Sequence, residues 1–345
     1  MSRYICSTMP SVKCDDSPAE PILLKPTMAQ RMICASVCAY AVNRPYDPKR
    51  TDNFKPECKY WDLIKSTGAA QLITADASWL HPAVDAAFIT ETVDGWVVLS
   101  LRGTEPPTTV HDIGTFFRSF DDWFQDGKSC RTAFHIDGNN YGSVHTGFHD
   151  AYEKMLPEIR YVLDKIDWSK FHGLQVTGHS KGASLTFLYA LWAKVHYASK
   201  GLSNVVVNAF APTAIGDSTF DNKYTAEKIP TTRHMRARDA VPFLLPFVSQ
   251  KGTRYDIYHE VSPFHWNATE VAVWALGRLV HGGYYSVGDV VYYPGDTPGT
   301  VPSEAGAAAL SEAHKDLMAA IKGDKGDDII KAHSATDSYY PALVK

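Results

Sequence analysis

Short continuous apolar runs alternate with helix-spaced apolar positions through the middle of the chain. The clearest run is 204–210 (NVVVNAF), which is typical of a strand buried on both faces of a parallel sheet. Helical spacing follows Gly147, with apolar side chains three or four residues apart at Phe148, Tyr152, Met155 and Ile159. Strands that alternate with helices in this way predict an α/β protein with a mostly parallel sheet.

Other segments extend this alternation. The pattern predicts helices over 28–42 and 181–196 and strands over 86–90, 95–101, 173–177 and 231–237, with a turn at 91–95 between the first two strands. Residues 1–27 contain Pro, Ser and Asp without periodicity and are expected to form a surface extension. Because neither an internal repeat nor a linker interrupts the sequence, residues 1–345 are expected to form one domain.

Composition narrows the classes of function. The chain has 34 basic and 38 acidic side chains, so its net charge of −4 gives no reason to expect a nucleic-acid partner. No apolar run reaches the roughly 18 residues that a transmembrane helix requires. The N-terminal sequence lacks the apolar core of a signal peptide, so a cytoplasmic location is the default expectation, with specialised export left open.

The cysteines predict neither a metal site nor a particular disulfide. They stand at positions 6, 14, 34, 38, 58 and 130 and lack the spacing of zinc ligands. Cys34 and Cys38 fall within a predicted helix and are interpreted as free buried thiols. The sequence does not decide whether any of the cysteines are paired.

The strongest chemical signal is GHSKG at 178–182. A predicted strand precedes it and a predicted helix follows, which is the strand–turn–helix context of a nucleophile elbow. In such a turn the Ser180 hydroxyl projects above the sheet, and Gly178 and Gly182 allow the strand and the helix to approach closely. The backbone N–H of Lys181 then points from the helix N-terminus toward a developing oxyanion.

The two residues that flank Ser180 are His179 and Lys181. His179 is adjacent to the nucleophile in a strained turn and would point away from its hydroxyl, so we expect it to support or line the substrate site and not to act as the base. The Lys181 side chain is expected to reach solvent, with recognition of anionic head groups as the alternative.

Several further motifs occur in order along residues 85–345. They are VVLSLRGT at 97–104, DWFQD at 122–126, VHTGFHDAY at 144–152, Ala211-Pro212 with Gly216, RDAVP at 238–242, YSVGDVVY at 285–292, and His333 with YPAL at 340–343. Together with VTGHSKG at 176–182, this set resembles the class-three, fungal-type lipase family of the α/β-hydrolases.

The resemblance implies an α/β-hydrolase fold, with helices on both faces of a mostly parallel sheet and helical insertions over the active site. It also implies serine carboxylester hydrolysis, with Thr104 as the second oxyanion donor beside Lys181. In this fold the catalytic residues follow the chain order Ser, acid, His. Asp239 is the best acid, because it follows a predicted strand, precedes Val241-Pro242 and matches the family motif; Asp217 and Asp256 are weaker rivals.

The base is expected to be His333, which stands in the late loop where the family places its catalytic histidine. His281 is the second choice. The remaining downstream histidines are His259 and His265, which lie in a segment without a family counterpart, and His314, which is expected on a solvated helix face.

Two insertions flank the expected site. Residues 105–121 match the position of the family's lid. Phe117 within this segment and Trp123 just after it are candidate substrate contacts, with ordinary packing of these aromatics as the alternative. Residues 243–284 contain VAVWALGRLV at 271–280, which is apolar on nearly all sides. Such a helix is either covered as a cap or in contact with lipid.

The predicted function is a lipase or esterase that uses Ser180, Asp239 and His333 to cleave acyl esters of lipid-like substrates. A phospholipase of the same fold and a catalytically silent binding module are the alternatives. The expected partner is the acyl ester substrate, with transient contact at a lipid interface as an option. No cofactor and no metal are expected, and the sequence gives no oligomeric state.

Overall fold

The computed structural model describes most of the predicted core. The described residues are 26–42, 58–75, 85–104, 131–243, 248–250, 253–255, 283–294, 303–305, 307–323 and 325–344. Residues 1–25 of the expected surface extension, the lid-like insertion 105–121 and most of the insertion 243–284 lie outside these ranges.

Eight strands of the described residues form one sheet. In their order across the sheet they are β1 (Ser66–Ala75), β2 (Asp85–Thr92), β3 (Trp96–Leu101), β6 (Gly173–His179), β7 (Val205–Phe210), β8 (Thr231–Arg236), β12 (Asp289–Tyr293) and β13 (Ser303–Ala305). The pairs from β3 through β6, β7 and β8 to β12 are parallel, whereas β1, β2 and β13 add antiparallel edges. The expectation of a mostly parallel sheet is confirmed.

Two small sheets accompany the large one. The hairpin of β4 (Arg131–Ile136) and β5 (Asn139–His145) precedes the first long helix. Strands β9 (Val248–Gln250), β10 (Thr253–Tyr255) and β11 (Tyr284–Tyr285) form a three-stranded sheet. The described parts of the insertion 243–284 are therefore mainly strands, while its predicted apolar helix lies outside the described residues.

Helices cover both faces of the large sheet. They are α1 (Met28–Ala39), α2 (Trp61–Ile64), α3 (Thr146–Leu163), α4 (Lys181–His196), α5 (Ser218–Ala226), α6 (Ala307–Lys322), α7 (Gly326–His333) and α8 (Tyr340–Leu343), with a π-helical turn at Ala335–Tyr339. Because strand side chains alternate between faces, Val97 and Leu99 pack in one apolar cluster with α3 and α4, and Val98 packs in another with α1. This matches the α/β-hydrolase type of fold.

The cysteine expectation is wrong for Cys38. Its sulfur is bonded to that of Cys58, with the two Cα atoms 5.4 Å apart, so the C-terminal end of α1 is tied to the segment before α2. Cys34 is buried and is not part of this bond. The partner Cys58 lies outside any predicted element, and only the tertiary fold brings it beside the helix.

Candidate active site

Ser180 occupies a sharp turn between β6 and α4. Its backbone has φ 58° and ψ −125°, a conformation that a residue with a side chain rarely adopts. The Ser180 N–H donates to the Phe210 carbonyl at 2.9 Å, so the neighbouring strand β7 helps to hold the turn. The structure therefore has the strained strand–turn–helix geometry of a nucleophile elbow.

The two glycines of the motif are required by close packing. A Cβ at Gly178 would lie 2.5 Å from the carbonyl carbon of Gly182, and a Cβ at Gly182 would overlap with the carbonyl oxygen of Leu101. The start of α4 is thus pressed against both its own strand β6 and the end of β3. This contact places residues 102–104 beside Ser180.

The structure brings the three predicted catalytic side chains together in one hydrogen-bonded chain. The Nε2 atom of His333 lies 2.9 Å from the Ser180 hydroxyl oxygen, and its Nδ1 lies 3.0 Å from Oδ1 of Asp239. All three residues are buried. Both imidazole nitrogens are therefore in hydrogen-bonding contact, one with a hydroxyl group and the other with a carboxylate.

The carboxylate of Asp239 is held from three directions. It lies in a tight turn after β8, where the preceding Arg238 has φ 65°, and the Val241 N–H donates to Oδ1 at 3.0 Å. The Tyr339 hydroxyl donates to Oδ2 at 2.5 Å. Burial and the adjacent carboxylate raise the pKa of Tyr339 well above its usual range, which keeps this hydroxyl a donor.

Tyr339 is a contact of Asp239 that sequence reasoning missed. It directly precedes the YPAL segment at 340–343, which was the only available signal. The location expected for His333 is also corrected, because it is the last residue of α7 and not part of a loop. The π-helical turn that follows α7 returns the chain so that Tyr339 reaches Asp239.

The alternative acid and histidine candidates that the structure describes make contacts elsewhere. Asp217 caps α5 by accepting from the Phe220 N–H at 2.8 Å. His314 is half-buried and packs edge-on against Phe243, which corrects the expectation of a solvated position. Those outside the described residues are Asp256, His259, His265 and His281.

The candidate oxyanion donors lie at the meeting point of β3, β6 and α4. A Cβ at Gly103 would be 2.5 Å from the carbonyl oxygen of His179, so the chain leading to Thr104 lies directly against the nucleophile turn. Lys181 is the first residue of α4, where backbone N–H groups lack helical partners. The Thr104 hydroxyl is buried and has no hydrogen bond within the described residues.

The expectation that the Lys181 side chain reaches solvent is wrong. Its ammonium group forms an ion pair with Asp85 at the start of β2, and the two side chains are only 6% and 11% exposed. Burial lowers the pKa of Lys181, and the Asp85 carboxylate opposes this effect. The cation at this position is therefore internal and neutralised, which removes the basis for head-group recognition by Lys181.

His179 is also buried, and its position therefore argues against direct contact with a substrate. Its Nδ1 lies 2.8 Å from the Tyr40 hydroxyl, and its ring packs on the ring of His333 with centroids 4.7 Å apart. Burial, together with the neighbouring His333, lowers the pKa of His179 well below its usual range. The other two candidate substrate contacts, Phe117 and Trp123, lie outside the described residues.

Solved structures similar to this chain include three fungal lipases. They are a Rhizomucor miehei lipase–propeptide complex (TM-score 0.49, 19% identity, covering 77% of this chain and 66% of that one), a Penicillium expansum triacylglycerol lipase (0.48, 15%, 85% and 90%), and a lipase from Rhizopus microsporus var. chinensis (0.45, 23%, 66% and 74%). The chain thus spans slightly less than two thirds of the length of the Rhizomucor chain. No curated protein sequence matches this chain.

The family comparison covers the centre of the site. The model described as "Lipase (class 3)" matches residues 98–249, a segment that carries Thr104, Ser180 and Asp239 and ends before His333. This match agrees with the sheet order and with the nucleophile turn described above. Residues 98–249, a little under half of the chain, are therefore similar to the class 3 lipase family.

Proposed function

We propose that this protein is a lipase of the class 3 type and that Ser180, His333 and Asp239 are the catalytic triad with which it hydrolyses carboxylic esters of lipid-like substrates. The observation that carries the proposal is the continuous hydrogen-bonded chain from the Ser180 hydroxyl through both imidazole nitrogens to a buried carboxylate. The strained backbone of Ser180 is a second support, because such strain persists where the surroundings enforce it and clusters at functional sites.

The reaction follows from the positions of these groups. His333 Nε2 takes the Ser180 proton as the serine oxygen attacks the ester carbonyl carbon, which gives a tetrahedral oxyanion. Collapse breaks the bond to the leaving alcohol, which receives the proton from His333 and departs, and an acyl-enzyme remains. Water then attacks the acyl-enzyme with His333 again as the base, so that the free acid is released and Ser180 regains its proton.

Asp239 holds the imidazole with its Nδ1–H toward the carboxylate and stabilises the imidazolium that forms during attack. Its charge is itself supported by donation from Tyr339 and from the Val241 backbone. We propose that the backbone N–H groups of Lys181 and Thr104 donate to the oxyanion. The contact between the end of β3 and the start of α4, which brings these residues together, supports this assignment.

The site gives less support to the two alternative functions, a phospholipase and a silent binding module. A phospholipase would use Lys181 and nearby arginines to recognise phosphate, and the burial of the Lys181 cation against Asp85 counts against that use of Lys181. A silent binding module would not require a nucleophile, a base and an acid in hydrogen-bonding contact. We also propose that residues 1–345 form one domain, since the large sheet takes strands from Ser66 to Ala305.

A hydrolysis assay tests the proposal. Wild-type protein and the Ser180→Ala variant are compared on chromogenic short-chain esters, with Ser100→Ala as the matched control for loss of a buried serine hydroxyl on β3. We expect Ser180→Ala to lose at least about a thousandfold in kcat and Ser100→Ala to retain activity. Equal rates in wild type and Ser180→Ala would contradict the proposal.

A substrate series then addresses the lipid class. Acylglycerol esters of increasing chain length are compared with glycerophospholipids of the same acyl chains. The proposed lipase activity predicts faster hydrolysis of the neutral esters. Preferential cleavage of the phospholipids would favour the alternative enzyme.

A further inference from the structure

The Tyr40 hydroxyl lies where two parts of the candidate active site meet. It is 2.8 Å from Nδ1 of His179, the residue before the nucleophile. The same oxygen lies so close to Gly103 that a Cβ there would overlap with it. Tyr40 therefore contacts both the nucleophile turn and the chain segment that leads to Thr104.

His179 extends this contact to the base. Its ring lies against the His333 ring, with centroids 4.7 Å apart and planes inclined at 36°, and also against Tyr339 at 5.5 Å. His179 is only 3% exposed, so it forms an internal wall behind His333 and does not face the substrate. Neither Tyr40 nor His179 takes part in the proton transfers between Ser180, His333 and the leaving alcohol.

Tyr40 is held in place by the helix end on which it lies and by a nearby disulfide. It is the C-terminal cap of α1, a helix that packs on β3, β6 and β7. Two residues earlier, Cys38 is bonded to Cys58, which restrains the same end of the helix. The hydroxyl is thus positioned by an element that takes no part in the chemistry.

We propose that Tyr40 and His179 are a positioning pair, in which the Tyr40 hydroxyl fixes the His179 ring and this ring fixes the orientation of the His333 imidazole. This inference rests on the proposed hydrolase function. Nε2 of His333 must first face Ser180 and later the leaving oxygen, so the plane of its ring determines whether both transfers occur at hydrogen-bond distance. Small misplacements of such groups are costly, since an error of about 1 Å can lower a rate about a hundredfold.

The pair predicts a specific kinetic signature. Tyr40→Phe keeps the ring and removes the hydroxyl, and we expect kcat per titrated active site to fall about three- to tenfold with KM unchanged. His179→Phe keeps a ring behind His333 but cannot hydrogen-bond, and we expect a similar fall. Because both variants break the same contact, adding Tyr40→Phe to His179→Phe is expected to lower kcat less than twofold further.

Tyr224→Phe is the matched control. Its buried hydroxyl also contacts one side chain, Thr231, at 2.7 Å, but this contact lies at the opposite end of β8 from Asp239. The variant loses a comparable hydrogen bond and is expected to keep wild-type kcat per active site. Titration of active sites with a serine-directed phosphonate removes unfolded protein from the comparison.

The outcomes are distinct. A Tyr40→Phe enzyme whose kcat per titrated site stays within twofold of both wild type and Tyr224→Phe would overturn the positioning role, as would independent, multiplicative losses in the double variant. Wild-type protein that neither reacts with the phosphonate nor hydrolyses esters would instead overturn the proposed function. If His179→Phe does not fold, the comparison of Tyr40→Phe with Tyr224→Phe decides the question alone.

Discussion

Replacing Asp85 with asparagine removes the carboxylate that pairs with the Lys181 ammonium group inside the protein. The two side chains are 11% and 6% exposed, so solvent screens the charge only weakly. Removal of one member of a buried ion pair costs about 3–5 kcal/mol, because the remaining charge loses its compensation. At about 2.1 cal/mol/K of unfolding entropy per residue over 345 residues, this corresponds to a fall in Tm of roughly 4–7 °C.

The double variant makes this prediction specific to the pair. Lys181→Met removes the ammonium and keeps the length of the side chain, so Asp85→Asn combined with Lys181→Met is expected to be more stable than Asp85→Asn alone. The recovery of at least about 1 kcal/mol would appear in thermal or denaturant unfolding at pH 7. The backbone N–H of Lys181 is retained in every variant.

The pH dependence gives a second readout. Burial lowers the pKa of Lys181 below its unfolded value, so the unfolded chain binds more protons in the interval between the two. Stability from this group therefore rises with pH through that interval, up to the unfolded pKa near 10.4. Removing Asp85 widens the interval, and Asp85→Asn is expected to regain part of its lost stability as the pH is raised from 7 to 10. Equal stability of Asp85→Asn and wild type at pH 7, or no recovery in the double variant, would refute this reasoning.

Three further predictions concern the nucleophile turn, the disulfide and acid stability. Gly182→Ala should lower kcat at least about a hundredfold, because its Cβ overlaps with the Leu101 carbonyl oxygen and forces β3 and α4 apart; steady-state kinetics with near-normal kcat would contradict it. Replacement of both Cys38 and Cys58 by serine should cost about 3 kcal/mol for a loop of 20 residues, and an unchanged urea midpoint would exclude this. Burial lowers the pKa of His145 to about 4, so its folded form resists protonation. The free energy of unfolding should therefore fall by up to about 1.4 kcal/mol per pH unit as the pH drops from 6.5 toward 4. The His145→Gln variant should lose less, which unfolding measurements at both ends of that pH range would show.

The nucleophile region could be predicted well because its signals are local. The boundaries expected for the helix at 181–196 agree with those of α4, and the short apolar run at 173–177 lies within β6. The glycines of GHSKG meet the steric demands that the turn imposes. In each case residues adjacent in sequence determine the backbone conformation.

The acid and the base required more than local pattern. Asp239 and His333 are 94 residues apart, and motif order suggested them before the structure placed them 3.0 Å apart. The contact of Tyr339 with Asp239 joins residues 100 positions apart, and no local pattern reports it. Tyr339 was missed for this reason.

The errors have a common physical cause. Lys181 was expected in solvent because lysine is usually exposed, but Asp85 from β2 reaches it only after the sheet has formed. Cys38 is predicted to be a free buried thiol because it lies in a helix four residues after Cys34, but its partner Cys58 stands 20 residues later, outside any predicted element. Strand β1 was not predicted because its sequence STGAAQLITA has few large apolar residues, and pairing with β2 supplies the stability that its sequence does not indicate.

The most direct test of the central claim is covalent labelling by a serine-directed alkyl phosphonate, with the modified residue located by mass spectrometry. The account predicts stoichiometric modification of Ser180 and a labelling rate at least about a thousandfold lower in the His333→Ala variant, because the hydroxyl then lacks its base. Modification of a different residue, or labelling of Ser180 at the same rate without His333, would contradict the assignment of Ser180 and His333 as nucleophile and base.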